Sequence, residues 1–275
     1  MVEKFMLLIN GVKIPSIGFG TYKSGDDEET AKIIKNALNL GYKMIDTASF
    51  YNNEVGIGNG IKESDIDRKD IFIVTKLWND DHGYDNTIEA FNKSLNNLQV
   101  DYIDLYLIHW PNKLNAETWR AFEHLYETGK VKAIGVCNFK VEHLEELKKT
   151  AKIMPMVNQV EIHPFSTKNN IINYCKDNNI KVVAWSPISR GRVLSNELMI
   201  DLSQKYKKSI VQIVLRWHMQ KGVIPIPKSS RIKENIDIFD FEISSEDMKA
   251  IDSLDEGDDM SVTTPPLNTI YEEVR

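Results

Sequence analysis

Leu105-Tyr106-Leu107-Ile108-His109 is a short apolar run closed by an imidazole, and the same design recurs twice upstream. Ile71-Phe72-Ile73-Val74-Thr75 ends on Lys76, and Tyr42-Lys43-Met44-Ile45 ends on Asp46, with Tyr51 in the segment that leaves it. Each run is brief, rich in β-formers and followed by a helical pattern, so all three read as buried parallel strands. In a barrel of such strands the side chains at the carboxyl ends converge on one face, where catalytic groups collect. Taken singly, Asp46 could cap a helix, Tyr51 could be a rim aromatic, Lys76 a solvated charge and His109 a core histidine. Together they put a carboxylate, a phenol, an ammonium and an imidazole at one rim. That is a set suited to proton transfer.

Working outward, βα alternation runs the length of the chain. Lys4 to Pro15 reads as a small hairpin turned by Asn10-Gly11. Helical stretches include Glu28 to Leu40, Thr87 to Leu98, Ala116 to Glu127, Val141 to Lys149 and Lys168 to Asn178. Gly41 and Gly129 follow two of them as helix stops. Further strands are expected at Ala133–Val136, Val157–Glu161, Val182–Trp185 and Val223–Ile226, with a last one near Ile236–Phe239. Eight strands after the hairpin, each with a crossover, point to a parallel sheet closed as a (β/α)8 TIM barrel spanning 1–275 as one domain. The alternative is an open doubly wound sheet, which wants a Gly-rich phosphate loop. Gly18-Phe19-Gly20 has Lys23 where the third Gly belongs, and Gly56-Ile57-Gly58 has Ile61 there. Neither completes the dinucleotide fingerprint, and no Walker loop is present.

The 275 residues suit a barrel of about 250. An apolar share of 42% supports a large core, and no run of eighteen apolar residues could span a membrane. The net charge of −6 with no basic tail argues against nucleic acid as a partner. The start passes quickly to Asn10-Gly11, so no secretory signal is expected. Cys137 and Cys175 form neither a metal motif nor a disulfide framework, which fits reduced thiols in a cytoplasmic chain.

The residues also carry a family pattern. Gly41-Tyr42-Lys43-Met44-Ile45-Asp46-Thr47-Ala48, followed by Tyr51, Asn53 and Glu54, resembles the first signature of the aldo-keto reductases. Val74-Thr75-Lys76-Leu77-Trp78, Leu107-Ile108-His109-Trp110-Pro111, Gly135-Val136-Cys137-Asn138-Phe139, Val157-Asn158-Gln159-Val160-Glu161 and Ile226-Pro227-Lys228-Ser229 repeat its other blocks in order. The resemblance runs from Gly18 to about Leu254. Trp78-Asn79-Asp80-Asp81 and Phe239-Asp240-Phe241-Glu242 are similar to bacterial 2,5-diketo-gluconate reductase and glyoxal reductase members.

The resemblance implies reduction of an aldehyde or ketone with NADPH, no metal, and a small-molecule carbonyl substrate taken by a monomer. Tyr51 would donate the proton to the carbonyl oxygen. A free phenol has a pKa near 10, so a cation close by is expected to lower it. Lys76 would be that cation, held charged by Asp46, while a neutral His109 would set the carbonyl's angle. Asn138 and Gln159 would hold the nicotinamide carboxamide. Cys137 stands where most members have Ser, and Trp185 where many have a stacking Tyr. Gly20, Thr21 and Asp46 would line the cofactor, and Ser186-Pro187-Ile188 would open the pyrophosphate loop, in which Arg190 either reaches a phosphate or is solvated. Lys228, Ser229, Arg231, Glu234 and Asn235 match the adenosine 2′-phosphate motif, with a spacer cut to Ser230 alone. Tyr22, Trp78 and Trp110, with Tyr51 and His109, would form the substrate pocket. Tyr22 replaces the usual Trp. Short rim loops suggest an open cleft for methylglyoxal, aromatic aldehydes or keto sugars, and Thr263-Thr264-Pro265-Pro266 reads as an irregular tail at its rim.

Two other classes fit parts of this pattern. One is a nicotinamide-binding regulatory subunit with little turnover. The other is a barrel isomerase or aldolase using Lys76 as a Schiff-base amine, which Asp46 disfavours by keeping that amine charged.

Overall fold

The computed structural model describes residues 3–228, 230–257, 260–263 and 265–266. Its chain opens with a two-stranded hairpin, β1 (Phe5–Leu7) antiparallel to β2 (Lys13–Pro15), turned at Gly11 with φ +83°. Eight parallel strands follow in sequential order: β3 (Phe19–Gly20), β4 (Met44–Asp46), β5 (Phe72–Leu77), β6 (Leu105–Ile108), β7 (Ile134–Cys137), β8 (Val157–Glu161), β9 (Lys181–Trp185) and β10 (Val223–Pro225). The ring closes where Gly18 N donates to Pro225 O at 3.0 Å and Gly20 N donates to Pro227 O at 3.1 Å. The arrangement is the expected (β/α)8 barrel.

The helices that cover the strands are α1 (Asp27–Asn39), α2 (Glu54–Glu63), α3 (Tyr84–Leu98), α4 (Asn115–Glu127), α5 (Val141–Lys148) and α6 (Asn169–Asp177). After β9 come α7 (Glu197–Tyr206) and α8 (Ile210–Gln220), and after β10 come α9 (Ile232–Ile236) and α10 (Ser245–Asp252). Local chemistry sets their ends. The Asp26 carboxylate accepts from Glu29 N at the start of α1, and Ser209 and Gln212 form a reciprocal capping box on α8. The buried faces of α3 and α4 bring Phe91 and Phe122 against Tyr106 of β6, and the strands' own side chains are almost all buried.

One strand is placed differently from the sequence expectation. The segment 236–239 is not a strand: Ile236 ends α9, and Ile238 is buried against α8. Side chains occupy its backbone acceptors, with Gln212 Nε2 donating to Asp237 O at 2.7 Å and Arg216 Nη1 to Ile238 O at 3.2 Å. The apolar alternation there records packing on a helix. The remaining barrel strand is β3, two residues long and half glycine, which carries almost no β signal. Its glycine serves the seam, since a Cβ on Gly20 would stand 2.9 Å from Ile226 O. The second glycine cluster is interior to α2. A Cβ on Gly56 would meet Asp27 O at 2.6 Å and one on Gly58 would meet Leu98 O at 2.6 Å, so the glycines that resembled a phosphate loop let α2 lie close on α1 and α3. Among the described residues no helix is long and apolar enough to cross a membrane.

Candidate active site

The carboxyl ends of the strands surround a cleft of about 770 Å³. Asp46 is the last residue of β4, Lys76 the penultimate residue of β5, and His109 directly follows β6. Tyr51 ends a single 3-10 turn, Ser49–Tyr51, that leaves β4. That turn is fixed from below: Ser49 Oγ donates to Lys76 O at 3.0 Å. Asn53 holds the following segment, accepting from Thr47 Oγ1 at 2.8 Å and donating to Thr21 O at 2.9 Å, and Glu54 accepts from Thr75 Oγ1 at 2.7 Å.

Lys76 is 0% exposed, and its Nζ donates to Asp46 Oδ1 at 2.5 Å and to Thr47 O at 2.7 Å. The same ammonium lies 5.1 Å from the Tyr51 ring centroid. Burial works against the ammonium, yet the Asp46 carboxylate outweighs it and holds Lys76 above its ordinary range. Gln159 Nε2 donates to the other carboxylate oxygen of Asp46 at 2.6 Å. The His109 imidazole is buried, faces the Lys76 charge, and is held neutral, its pKa pushed well below the usual value.

One expectation is corrected here. Burial pushes the Tyr51 phenol up to about 12, and the Lys76 ammonium only partly offsets this. The cation favours phenolate as expected, but removing a phenolate from water costs more than one neighbouring charge returns, with Asp46 already neutralising much of that charge. Tyr51 is therefore held as the neutral phenol.

The rest of the implied cofactor and substrate set divides in two. Gly20, Thr21, Tyr22, Trp78, Trp110, Asn138, Gln159, Trp185, Ser186, Pro187, Ile188 and Lys228 line the same cleft as Asp46, Tyr51 and His109. Asn138 ties its parts together, donating from Nδ2 to His109 O at 3.0 Å and accepting from Trp185 Nε1 at 2.9 Å. Its backbone is left-handed, φ +62°, as is that of Ser186, Ser189 and Arg190 (φ +48°, +46° and +50°). Such conformations in non-glycine residues cluster where the surrounding structure imposes them, commonly at functional loops. Arg231 and Glu234 do not face this cleft. They line a neighbouring shallower one of about 640 Å³ beside α1 and α8, while Asn235 is buried next to it. Ser229 lies outside the described residues, as does Thr264.

Phe50 and Lys23 also line the cleft without having been expected there, as do Ile226 and Pro227, which the sequence marked only as part of the block ending in Lys228-Ser229. Phe50 is an ordinary aromatic in sequence, and only the turn Ser49–Tyr51 places it at the cleft. Arg190 also lines the cleft and donates to Thr263 Oγ1 at 3.2 Å, so the tail residues Thr263 and Pro266 do contribute to the rim. Cys137 and Cys175 are buried free thiols, and Cys137 Sγ accepts from Asn138 Nδ2 at 3.2 Å.

A model of the aldo/keto reductase family matches residues 16–256. Glyoxal reductase of Bacillus subtilis is 53% identical over 251 residues, covering 90% of this chain and 91% of that protein. The crystal structure of an aldo-keto reductase from a Medee basin deep-sea metagenome library superposes with a TM-score of 0.92 at 47% identity, covering 97% of this chain and all of the other. A Bombyx mori aldo-keto reductase, solved in complex with NADP, gives a TM-score of 0.88 at 34% identity, covering 93% and 94%.

Proposed function

Because the chain belongs to the aldo/keto reductase family, we propose that it reduces small aldehydes and ketones to alcohols with NADPH, Tyr51 supplying the proton. The observation that carries the reading is the meeting of Asp46, Tyr51 and His109 at one cleft whose wall also holds Asn138, Gln159 and Trp185, with Lys76 buried against Asp46 and beside the Tyr51 ring.

The residues present fit a nicotinamide dinucleotide. Asn138, Gln159 and Trp185 offer an amide-lined recess beside a broad ring, and Lys228 brings a cation to the cleft's edge. Near α9, Glu234 Oε1 and Asn235 Oδ1 are buried acceptors with no hydrogen-bond partner among the described residues, which suits a donor arriving with a ligand. Arg231 is largely exposed, in a loose pair with Glu234 at 3.8 Å, and suits a phosphate dianion. When bound, the reduced nicotinamide supplies the hydride. The protein's own residues then orient and protonate. His109, neutral, hydrogen-bonds the substrate oxygen and fixes its angle. Tyr51 gives its proton to that oxygen as charge develops on it, and Lys76 stabilises the phenolate left behind. Asp46 and Thr47 O hold Lys76 in place. An imine at Lys76 has little support, because its amine is fully buried in an ion pair and does not line the cleft.

The phenol's raised pKa makes a pH prediction. Reduction requires Tyr51 protonated, a state present below its pKa and lost as pH rises through it. With that value near 12, kcat/KM for the carbonyl should stay flat from about pH 6 to 9. His109, whose pKa is lowered, stays neutral over the same window. A break anywhere between about pH 6 and 9 in an initial-rate profile would contradict this assignment.

Cofactor choice is tested at Arg231. Replacing Arg231 with Ala should raise the Kd for NADPH about tenfold or more, the scale of one lost charge-assisted hydrogen bond, and change the Kd for NADH far less. Equal weakening, measured by quenching of tryptophan fluorescence, would mean that Arg231 does not read the 2′-phosphate.

A further inference from the structure

The His109 imidazole has no hydrogen bond behind it: its Nδ1 is buried with no partner among the described residues. The bond a histidine makes at its second nitrogen is what usually fixes its tautomer and aim. Here the aim rests on edge-on ring contacts with Tyr51 and Trp78, at 5.7 and 5.1 Å between centroids, and on the backbone of residue 109. That backbone is held on both sides. His109 N donates to Leu77 O at 3.1 Å, and His109 O accepts from Asn138 Nδ2 at 3.0 Å.

The second tie is only as good as the orientation of the Asn138 amide. Turned over about its last torsion, the amide would set Oδ1 against His109 O, two acceptors face to face. Trp185, the last residue of β9, decides between the two orientations. Its indole Nε1–H can only donate, and it donates to Asn138 Oδ1 at 2.9 Å. A donor-only group and an acceptor-only group thus select one amide orientation from opposite ends. The same ties help hold Asn138 at φ +62°, a left-handed backbone that persists only where its surroundings impose it.

Resting on the carbonyl-reductase reading above, we propose that Trp185 is a positioning residue for the reduction: its indole N–H orients the Asn138 amide, and through it the His109 backbone and the imidazole that aims the carbonyl. This role is separate from the flat face that the ring offers a nicotinamide. Phenylalanine at 185 keeps a face and loses the donor, so the two roles come apart in one substitution. The bond's loss falls on the angle between carbonyl and hydride, where small misplacements cost rate, and spares cofactor affinity.

The test begins on the free protein. In ¹H–¹⁵N spectra the Trp185 indole N–H, identified by the resonance missing from Trp185→Phe, exchanges slowly with water. In Asn138→Gly, a change that the left-handed backbone accepts, the same N–H exchanges fast. With NADPH bound and methylglyoxal saturating, single-turnover oxidation in Trp185→Phe is about tenfold slower than in the wild type, while the NADPH Kd stays within about threefold. Adding Trp185→Phe to Asn138→Gly slows that variant no further, because both act through one amide. Fast exchange of the indole N–H in the wild type overturns the proposal. So does a full further loss in the double variant, or a raised NADPH Kd with hydride transfer unchanged, which would leave Trp185 a stacking face alone. Absence of turnover in the wild type, with the N–H still protected, overturns the carbonyl-reductase reading and the positioning role with it. Failure of the proposal alone looks different: the wild type turns over and Trp185→Phe keeps pace.

Discussion

Tyr51→Phe binds NADPH with wild-type affinity and reduces aldehydes at least about 10² to 10⁴-fold more slowly, the range a positioned general acid contributes. The substitution removes one oxygen and leaves the ring, so the ring's contacts with Tyr22 and His109 at 5.0 and 5.7 Å persist. Of the buried titratable groups next to the phenol among the described residues, none is suited to replace it. His109 is neutral, with its pKa held well below the usual value, and Cys137 is a buried thiol whose pKa burial drives upward. Lys76 is engaged with Asp46 and Thr47 and does not line the cleft. The loss should appear in kcat and in kcat/KM together, as expected for an interaction that matters in the transition state. Single-turnover traces with bound NADPH would measure it. Turnover within a few-fold of wild type would remove Tyr51 from the chemistry.

Lys76→Met has the second largest effect, and it acts on two levels. Asp46 is buried at the foot of the cleft, and the ammonium is its only cationic partner among the described residues. Breaking such a pair leaves a carboxylate in a low-dielectric site with only Gln159 to serve it, a loss of about 3–5 kcal/mol in comparable pairs. The variant should therefore unfold at a lower temperature. It should also turn over as slowly as Tyr51→Phe, because the phenolate formed by proton donation loses its neighbouring charge. Thermal unfolding and single-turnover rates separate the two effects. A lowered Tm with near-normal turnover would reduce the pair to a structural role.

Most of the fold and much of the cleft could be read from sequence for an identifiable reason. Strands buried on both faces, such as Phe72–Leu77 and Leu105–Ile108, must be apolar along their whole length, so a polar residue at the end of one stands out. Asp46, Lys76 and His109 are conspicuous in that way. Tyr51 is marked only by its distance from Asp46. What sequence conceals is anything decided by contacts between distant segments. Phe19–Gly20 becomes a strand because it bridges β4 and the residues around Pro225–Pro227, and two residues carry no periodicity. Conversely, Ile236 to Phe239 has the alternation of a strand and none of its pairing, since α8 supplies the partners. Phe50 is invisible for the same reason, its position depending on a stack with Trp78 from another strand's end. Electrostatics is hidden further still. The residues name Lys76 as a neighbour of Tyr51, but the direction of the phenol's shift depends on how deeply the site is buried.

The most direct measurement is the decline of reduced-nicotinamide absorbance when an aldehyde is added to the protein, with NADPH and NADH run in parallel. The account predicts steady turnover with NADPH, slower turnover or weaker binding with NADH, and collapse of the signal in Tyr51→Phe. Tight NADPH binding with no oxidation by any aldehyde or ketone would contradict it, and would place the chain among proteins that bind the cofactor without using it.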